Sequence, residues 1–318
     1  MRLKPSLALL LLASVAATPA AAEYPERPIA FINPNSAGGG TDVGIRTWAP
    51  YVEKCLGNGA TFVVTAMPGA TGAVGMTEAA KAPNDGYTIA SLNMPQFVTN
   101  QIGKQMTFTV DTFDFLGNIV GVRSLIAVRP DSQFKTLADF VKFAKESGQP
   151  INVGLGGLGA DDHLGGLRFE QMLGVDFNFI PFGSGADSRN ALLGSQVEIA
   201  FMSNSEAAQF RDEIRPLAIA ADSRDPLYPD TQTFKEAGFD LISGSDHIIG
   251  VPKGAPAEVE TKLADCIAQA AKDPAFLADA KKRSLSLNIM DAKQTDAFVR
   301  EQDKIFRDLW ATNPWIAK

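Results

Sequence analysis

Histidine and cysteine are nearly absent, with two of each in 318 residues. A metal centre built on imidazole or thiolate ligands is therefore excluded, and no cofactor is expected. Long apolar runs are also scarce. Beyond the first stretch of the chain, none approaches the roughly 20 residues needed to cross about 30 Å of hydrocarbon. Basic charge is in deficit, with 29 Lys and Arg against 36 Asp and Glu and a formal charge of −7. Such a chain lacks the electrostatic footprint for nucleic acid or an anionic membrane surface. Net charge does not exclude a small anionic ligand, because backbone dipoles decide those sites locally. No nucleophile elbow and no Ser–His–Asp order stands out.

What is present begins at the first residues. Arg2 and Lys4 precede a small-apolar run from Leu7 to Ala17, and Ala20-Ala21-Ala22 then stand before Glu23. Basic, apolar and small-residue segments in that order predict a cleaved secretory leader over 1–22 and a periplasmic location. Without the leader the formal charge becomes −9, from 27 basic and 36 acidic residues. In an oxidising compartment the two cysteines, Cys55 and Cys266, are expected to form one disulfide. That pairing requires the fold to bring their Cα atoms within about 7 Å.

Apolar β-type runs alternate with helical periodicity along the rest of the chain. Strands are expected at 28–32, 61–64, 87–92, 124–128, 151–155, 177–181, 197–202, 217–220 and 248–251. Helices are expected at 42–56, 72–81, 137–145, 163–172, 188–193, 256–271, 274–283 and 292–310. This alternation predicts an α/β fold with mixed, mostly parallel sheets and flanking helices. Just under 300 residues suit two lobes better than one core. Lobe I is expected from 23–122 and again from 246–318, with lobe II at 123–245. The hinge then falls at two extended crossings near 122–129 and 245–251.

Two glycine-rich segments each follow a strand and open a helix. The first is Pro34-Asn35-Ser36-Ala37-Gly38-Gly39-Gly40-Thr41-Asp42. Glycine lets the backbone approach a ligand, and the free N–H groups of a helix start attract an anion. A tight turn with Thr41 or Asp42 as the helix cap is the plainer alternative, although three adjacent glycines exceed what a cap needs. No Gly-Lys-Ser/Thr follows, so this is not a Walker loop. The second is Gly154-Leu155-Gly156-Gly157-Leu158-Gly159-Ala160-Asp161-Asp162-His163. Its G-x-G-x-x-G spacing matches the dinucleotide fingerprint. Its mid-chain position in an exported protein argues against that reading. Asp161, Asp162 and His163 are candidates for helix capping, ligand contact, metal binding or acid–base chemistry. The last use defines the rival reading, a secreted enzyme.

Several further segments carry a family resemblance in a shared order. They are Tyr24-Pro25-Glu26-Arg27-Pro28-Ile29, Met67-Pro68-Gly69-Ala70-Thr71-Gly72, Pro83-Asn84-Asp85-Gly86-Tyr87-Thr88, Arg215-Pro216-Leu217-Ala218, Glu236-Ala237-Gly238 and Val251-Pro252-Lys253-Gly254-Ala255-Pro256. With the two glycine loops, the chain resembles the substrate-binding subunits of tripartite tricarboxylate transporters. The resemblance implies a two-lobed, type II-like periplasmic-binding fold, with a small organic carboxylate held in the cleft between closing lobes. It implies delivery to integral membrane transporter subunits by a monomeric, non-enzymatic receptor. Delivery to a sensor kinase is the alternative within the same fold. Carried over by position, the first loop supplies Asn35, Ser36, Ala37, Gly38, Gly39, Thr41 and Asp42. The second supplies Gly159, Ala160, Asp161, Asp162 and His163. Ser184, Gly185, Ala186, Asp187, Ser203 and Asn204 are expected on the far wall, with Asn93 opposite. Where the family often has G-x-G-S-x-x-H-L, this chain has Ala160 for the serine and two acids after it. That departure points to one carboxylate plus an amine, amide or hydroxyl, as in an amino-acid-like or aromatic acid.

Overall fold

The computed structural model describes residues 23–103, 105–182, 185–312 and 314. The expected leader at 1–22 and the predicted site residue Ser184 lie outside them. The chain opens with β1 (Ile29–Asn33), α1 (Gly40–Leu56), β2 (Phe62–Ala66), α2 (Ala73–Lys81), β3 (Thr88–Met94) and α3 (Gln96–Gly103). It continues through β4 (Phe113–Val128), α4 (Leu137–Glu146), β5 (Ile151–Leu155), α5 (Asp161–Leu173), β6 (Phe177–Pro181), α6 (Gly185–Leu193), β7 (Ile199–Ser203), α7 (Asn204–Ala208) and β8 (Arg215–Ile219). The return comprises β9 (Gly244–Pro252), α8 (Ala257–Ala270), α9 (Pro274–Lys282), β10 (Leu287–Met290) and α10 (Ala292–Thr312).

The strands form two sheets that share β4. In the first, β2, β1 and β3 run parallel, and β9 joins β3 and β4 antiparallel, with β10 on the far side of β4. In the second, β5 pairs parallel with β6 and β7, while β4 pairs antiparallel with β7 and β8. Antiparallel pairing therefore comes from the elements that cross or edge the sheets, and the βαβ units supply the parallel pairs. Helices cover both faces, so β1 reads Ile-Ala-Phe-Ile-Asn with almost every residue buried.

Four apolar clusters correspond to the four sheet faces. Phe31, Trp48, Val52, Leu263 and Phe276 join α1, α8 and α9 to one face of the first sheet. Met76, Leu92, Phe97, Phe113 and Val299 join α2, α3 and α10 to the other. Around the second sheet, Phe140, Phe169 and Phe201 fill one face and Leu192, Met202 and Ile214 the opposite one. The long C-terminal stretch thus returns to the sheet where the chain began.

The sheet change is narrow. Arg123 is the last residue of β4 paired with β9, opposite Gly244, and Ser124 is the first paired with β7. A Cβ at Gly244 would run into the carbonyl oxygen of Val122, and one at Gly121 into Asn288 and Asp246. Both glycines permit the close strand approach. Cys55 at the end of α1 and Cys266 on α8 are joined as a disulfide, with Cα atoms 5.4 Å apart.

Candidate functional site

The two glycine loops have the same backbone build. In the first, Ser36 C=O accepts from Gly39 N–H at 3.2 Å, and in the second Gly157 C=O accepts from Ala160 N–H at 3.3 Å. The third turn residue is left-handed in each, Gly38 at φ 77° and Gly159 at φ 79°. The helix caps follow at φ −75°, ψ 172° for Gly39 and φ −81°, ψ 170° for Ala160. Gly38, Gly39, Gly40, Thr41 and Asp42 therefore correspond to Gly159, Ala160, Asp161, Asp162 and His163.

That equivalence explains two of the predicted residues. Gly38 N–H donates to the Asp42 carboxylate at 3.0 Å, and Gly159 N–H donates to His163 Nδ1 at 2.9 Å. Each side chain reaches back from the first helical turn and fixes its own glycine turn. Asp42 also accepts from Arg46 at 2.9 Å and Asn33 at 3.3 Å. Burial opposes its charge, but the bonds from Arg46, Gly38 and Asn33 prevail and hold the carboxyl below its usual value. His163 packs edge-on against Phe179, with ring centroids 5.1 Å apart.

With Nδ1 accepting, His163 is neutral and carries its proton on Nε2. Burial pushes its pKa down to about 4, and that of His247 on β9 also to about 4. Both folded values lie below the ordinary 6.5, so this stability is present above pH 6.5 and lost as pH falls through 4. These are the only two histidines in the chain. Their imidazole Cε1–H NMR signals are expected to stay fixed from pH 8 to about 5. A midpoint near 6.5 in either would contradict this placement.

In the first loop, Thr41 lies between two amides. Its Oγ1 accepts from Asn35 Nδ2 at 3.0 Å and Asn93 Nδ2 at 2.7 Å, while Asn93 Oδ1 accepts from Ser91 at 2.6 Å. Both acceptor positions are filled, which leaves the hydroxyl proton to donate elsewhere. Thr41 and Asn93 are each only 5% exposed. Among the described hydrogen bonds, the N–H groups of Gly40, Thr41 and Asp42 have no protein partner. Ser36, Ala37 and Gly38 lie exposed at the rim. The site is thus a set of donors at a helix start, and Arg46 on the same helix is held by the Asp42 carboxylate.

The second loop is filled from within. Asp162 accepts from Gly156 N–H and from His163 N–H at 2.9 Å. Burial, then the charge of Asp161, pushes its carboxyl upward. Asp161 accepts from Ser124 Oγ at 3.1 Å and Gln96 Nε2 at 3.3 Å. Its backbone carbonyl accepts from Ser243 at 2.9 Å, and Thr99 donates to Gly159 C=O at 2.8 Å. Gln96 and Thr99 are on α3, so two side chains of the first-sheet half fasten the second loop.

The expected far wall divides. Gly185, Ala186 and Asp187 open α6, with Gly185 against Glu206, which pairs with Arg189 at 2.8 Å. Ser203 Oγ caps α7 by accepting from Glu206 N–H. Asn204 is 0% exposed and lies beside the crossing. It accepts from Arg123 N–H at 3.0 Å and donates to Asp225 at 2.6 Å. Arg189, Glu206, Gln96 and Ser124 went unremarked in the sequence, because partners 17 to 65 positions apart leave no local pattern.

A cavity of about 510 Å³ opens beside this site. Met94, Pro95, Arg123, Asp161, Ser243 and Phe298 are among its lining residues. Met94 faces away from Asn93 on the alternating strand, so the cavity meets the loops only at Asp161. No group of three or more His, Cys, Asp or Glu among the described residues could hold a metal ion. No described helix is long and apolar enough to cross a membrane.

Comparison with known proteins resolves the family. The model of the tripartite tricarboxylate transporter family receptor matches residues 45–310. The chain belongs to this receptor family. A curated relative from Cupriavidus necator, the UPF0065 protein in the gbd 5' region, is 28% identical over 92% of this chain and 89% of its own length. The solved periplasmic binding protein BugD is 28% identical, with a TM-score of 0.83 over 93% of this chain and all of its own. A TctC solute-binding protein from Polaromonas is 27% identical, with a TM-score of 0.72 over 91% of this chain and 99% of its own. The receptor therefore has the two-lobed periplasmic-binding fold, and its relatives are solute-binding proteins.

Proposed function

We propose that this receptor captures a small organic carboxylate in the periplasm by closing its lobes, and hands it to the membrane subunits of a tripartite transporter. The observation that carries the reading is the first loop. Three helix-start N–H groups without a protein partner and the Thr41 hydroxyl share one short segment, which suits a carboxylate. Receptors of this family are solute-binding proteins, and the leader pattern at 1–22 supports export. The hinge would be the paired crossing at Arg123–Ser124 and Ser243–Gly244, which puts the lobe boundaries near 123 and 245. Closure follows when a ligand touches both sides and so favours the closed population.

The test is a thermal-shift panel of carboxylic acids on the mature protein, with small-angle scattering before and after the best binder. A raised melting temperature with a smaller radius of gyration supports the reading; no binder would sink it. Thr41→Val keeps the shape but removes the donor and strands the Asn35 and Asn93 amides. Its affinity for that binder should fall about tenfold or more in calorimetry.

A further inference from the structure

The equivalence of the two loops exposes one difference between them. Gly40 opens α1, and a Cβ there would meet nothing within 4 Å. Asp161 opens α5 at the matching position, and its carboxylate lies at the start of its own helix. Ser124 and Gln96 both donate to it. The place that is vacant of side chain in the first loop is filled by a carboxyl group in the second.

No cation sits within ion-pair distance of Asp161 among the described residues. Arg189 is taken by Glu206 at 2.8 Å, and Arg123 lies 3.7 Å from Asp246. Burial pushes the Asp161 carboxyl upward despite its hydrogen bonds from Ser124 and Gln96, as expected of a carboxylate lacking a counter-ion. Beside it, Gln96 Oε1 is buried without a hydrogen-bond partner. Gln96 Oε1 thus stands without a donor beside a carboxyl that has no counter-ion, and Asp161 lines an open cavity. The link to the first loop is short. Asn93 holds Thr41 and Gln96 holds Asp161, and three residues of chain span at most about 11 Å.

We propose that Asp161 sets the ligand class: it excludes a second carboxylate and receives the ammonium group of a ligand whose single carboxylate lies on the first loop. The inference rests on the receptor reading above. It makes this chain a receptor for an amino acid or another zwitterion of similar length, with Gln96 Oε1 as the second acceptor.

The test uses three probes on the same propyl chain: butyrate, 4-aminobutyrate and glutarate. Calorimetry on the wild-type protein should give 4-aminobutyrate at least about tenfold tighter binding than glutarate. Asp161→Asn retains the volume and removes the charge, and should erase that preference. Asp161→Gly reproduces the first loop and should reverse it. A helix-start acid of purely structural importance would lower the melting temperature of both variants without changing the order of the probes. Tighter glutarate binding by wild type, or an unchanged order in folded Asp161→Asn, overturns the inference alone. If no probe binds wild type or either variant, the receptor reading falls and takes the inference with it.

Discussion

Gly40→Asp should cost at least about a hundredfold in carboxylate affinity while the protein stays folded. The substitution copies the second loop into the first. A Cβ at residue 40 meets no atom within 4 Å, and its φ is not left-handed, so the backbone accepts it. An acid in the first turn of a helix is favoured by the dipole by about 0.3–1 kcal/mol, and glycine is a poorer helix former than aspartate. Stability should therefore hold or rise slightly. The new carboxylate would accept from the N–H groups proposed for the ligand and repel the ligand's own charge. Equilibrium unfolding and calorimetry on the same preparation separate the two effects. Retained affinity in the folded variant would show that the carboxylate does not sit at the start of α1. Gly40→Ala is the control, since it adds a Cβ without charge and should bind nearly as wild type does.

That variant also marks where sequence reasoning stopped. The strand–loop–helix order was legible because each element carries its own period, and β6 falls at 177–181 as expected. The first half of β4 was not legible. Gly117 and Gly121 interrupt its alternation, and its pairing with β9 shifts register twice, so no local pattern marks a 16-residue strand. α3, α7 and β10 also escaped, being short elements whose formation depends on the sheet they pack against or join. At the site, the two loops could be found from their glycines, but the direction of each side chain could not. Asp42 and His163 were expected as ligand contacts from their place in the loops, and their matching bonds to Gly38 and Gly159 could not be read from the sequence. Gly40 drew no attention because a missing side chain is visible only beside its counterpart, Asp161.

Reduction of Cys55–Cys266 should produce the largest stability loss of any single covalent change, about 3–5 kcal/mol. The two residues are 211 apart in sequence, and the closed loop contains the whole second sheet. A crosslink over so long a loop removes much of the unfolded chain's freedom. Its two ends also sit in one core, where α1 and α8 pack through Trp48, Val52, Leu263 and Ile267. The first sheet is assembled from both ends of the chain, so the crosslink holds together segments that otherwise meet only by folding. At about 2–4 °C per kcal/mol, the doubly substituted Cys55→Ser, Cys266→Ser protein should melt roughly 10 °C lower. Ligand affinity should change little, because Cys55 lies at the far end of α1 from the glycine loop. The outcome that contradicts this is an unchanged melting temperature in reductant, with alkylation showing both thiols free. A parallel loss of affinity would instead mean that the α1–α8 junction governs the geometry of the first loop.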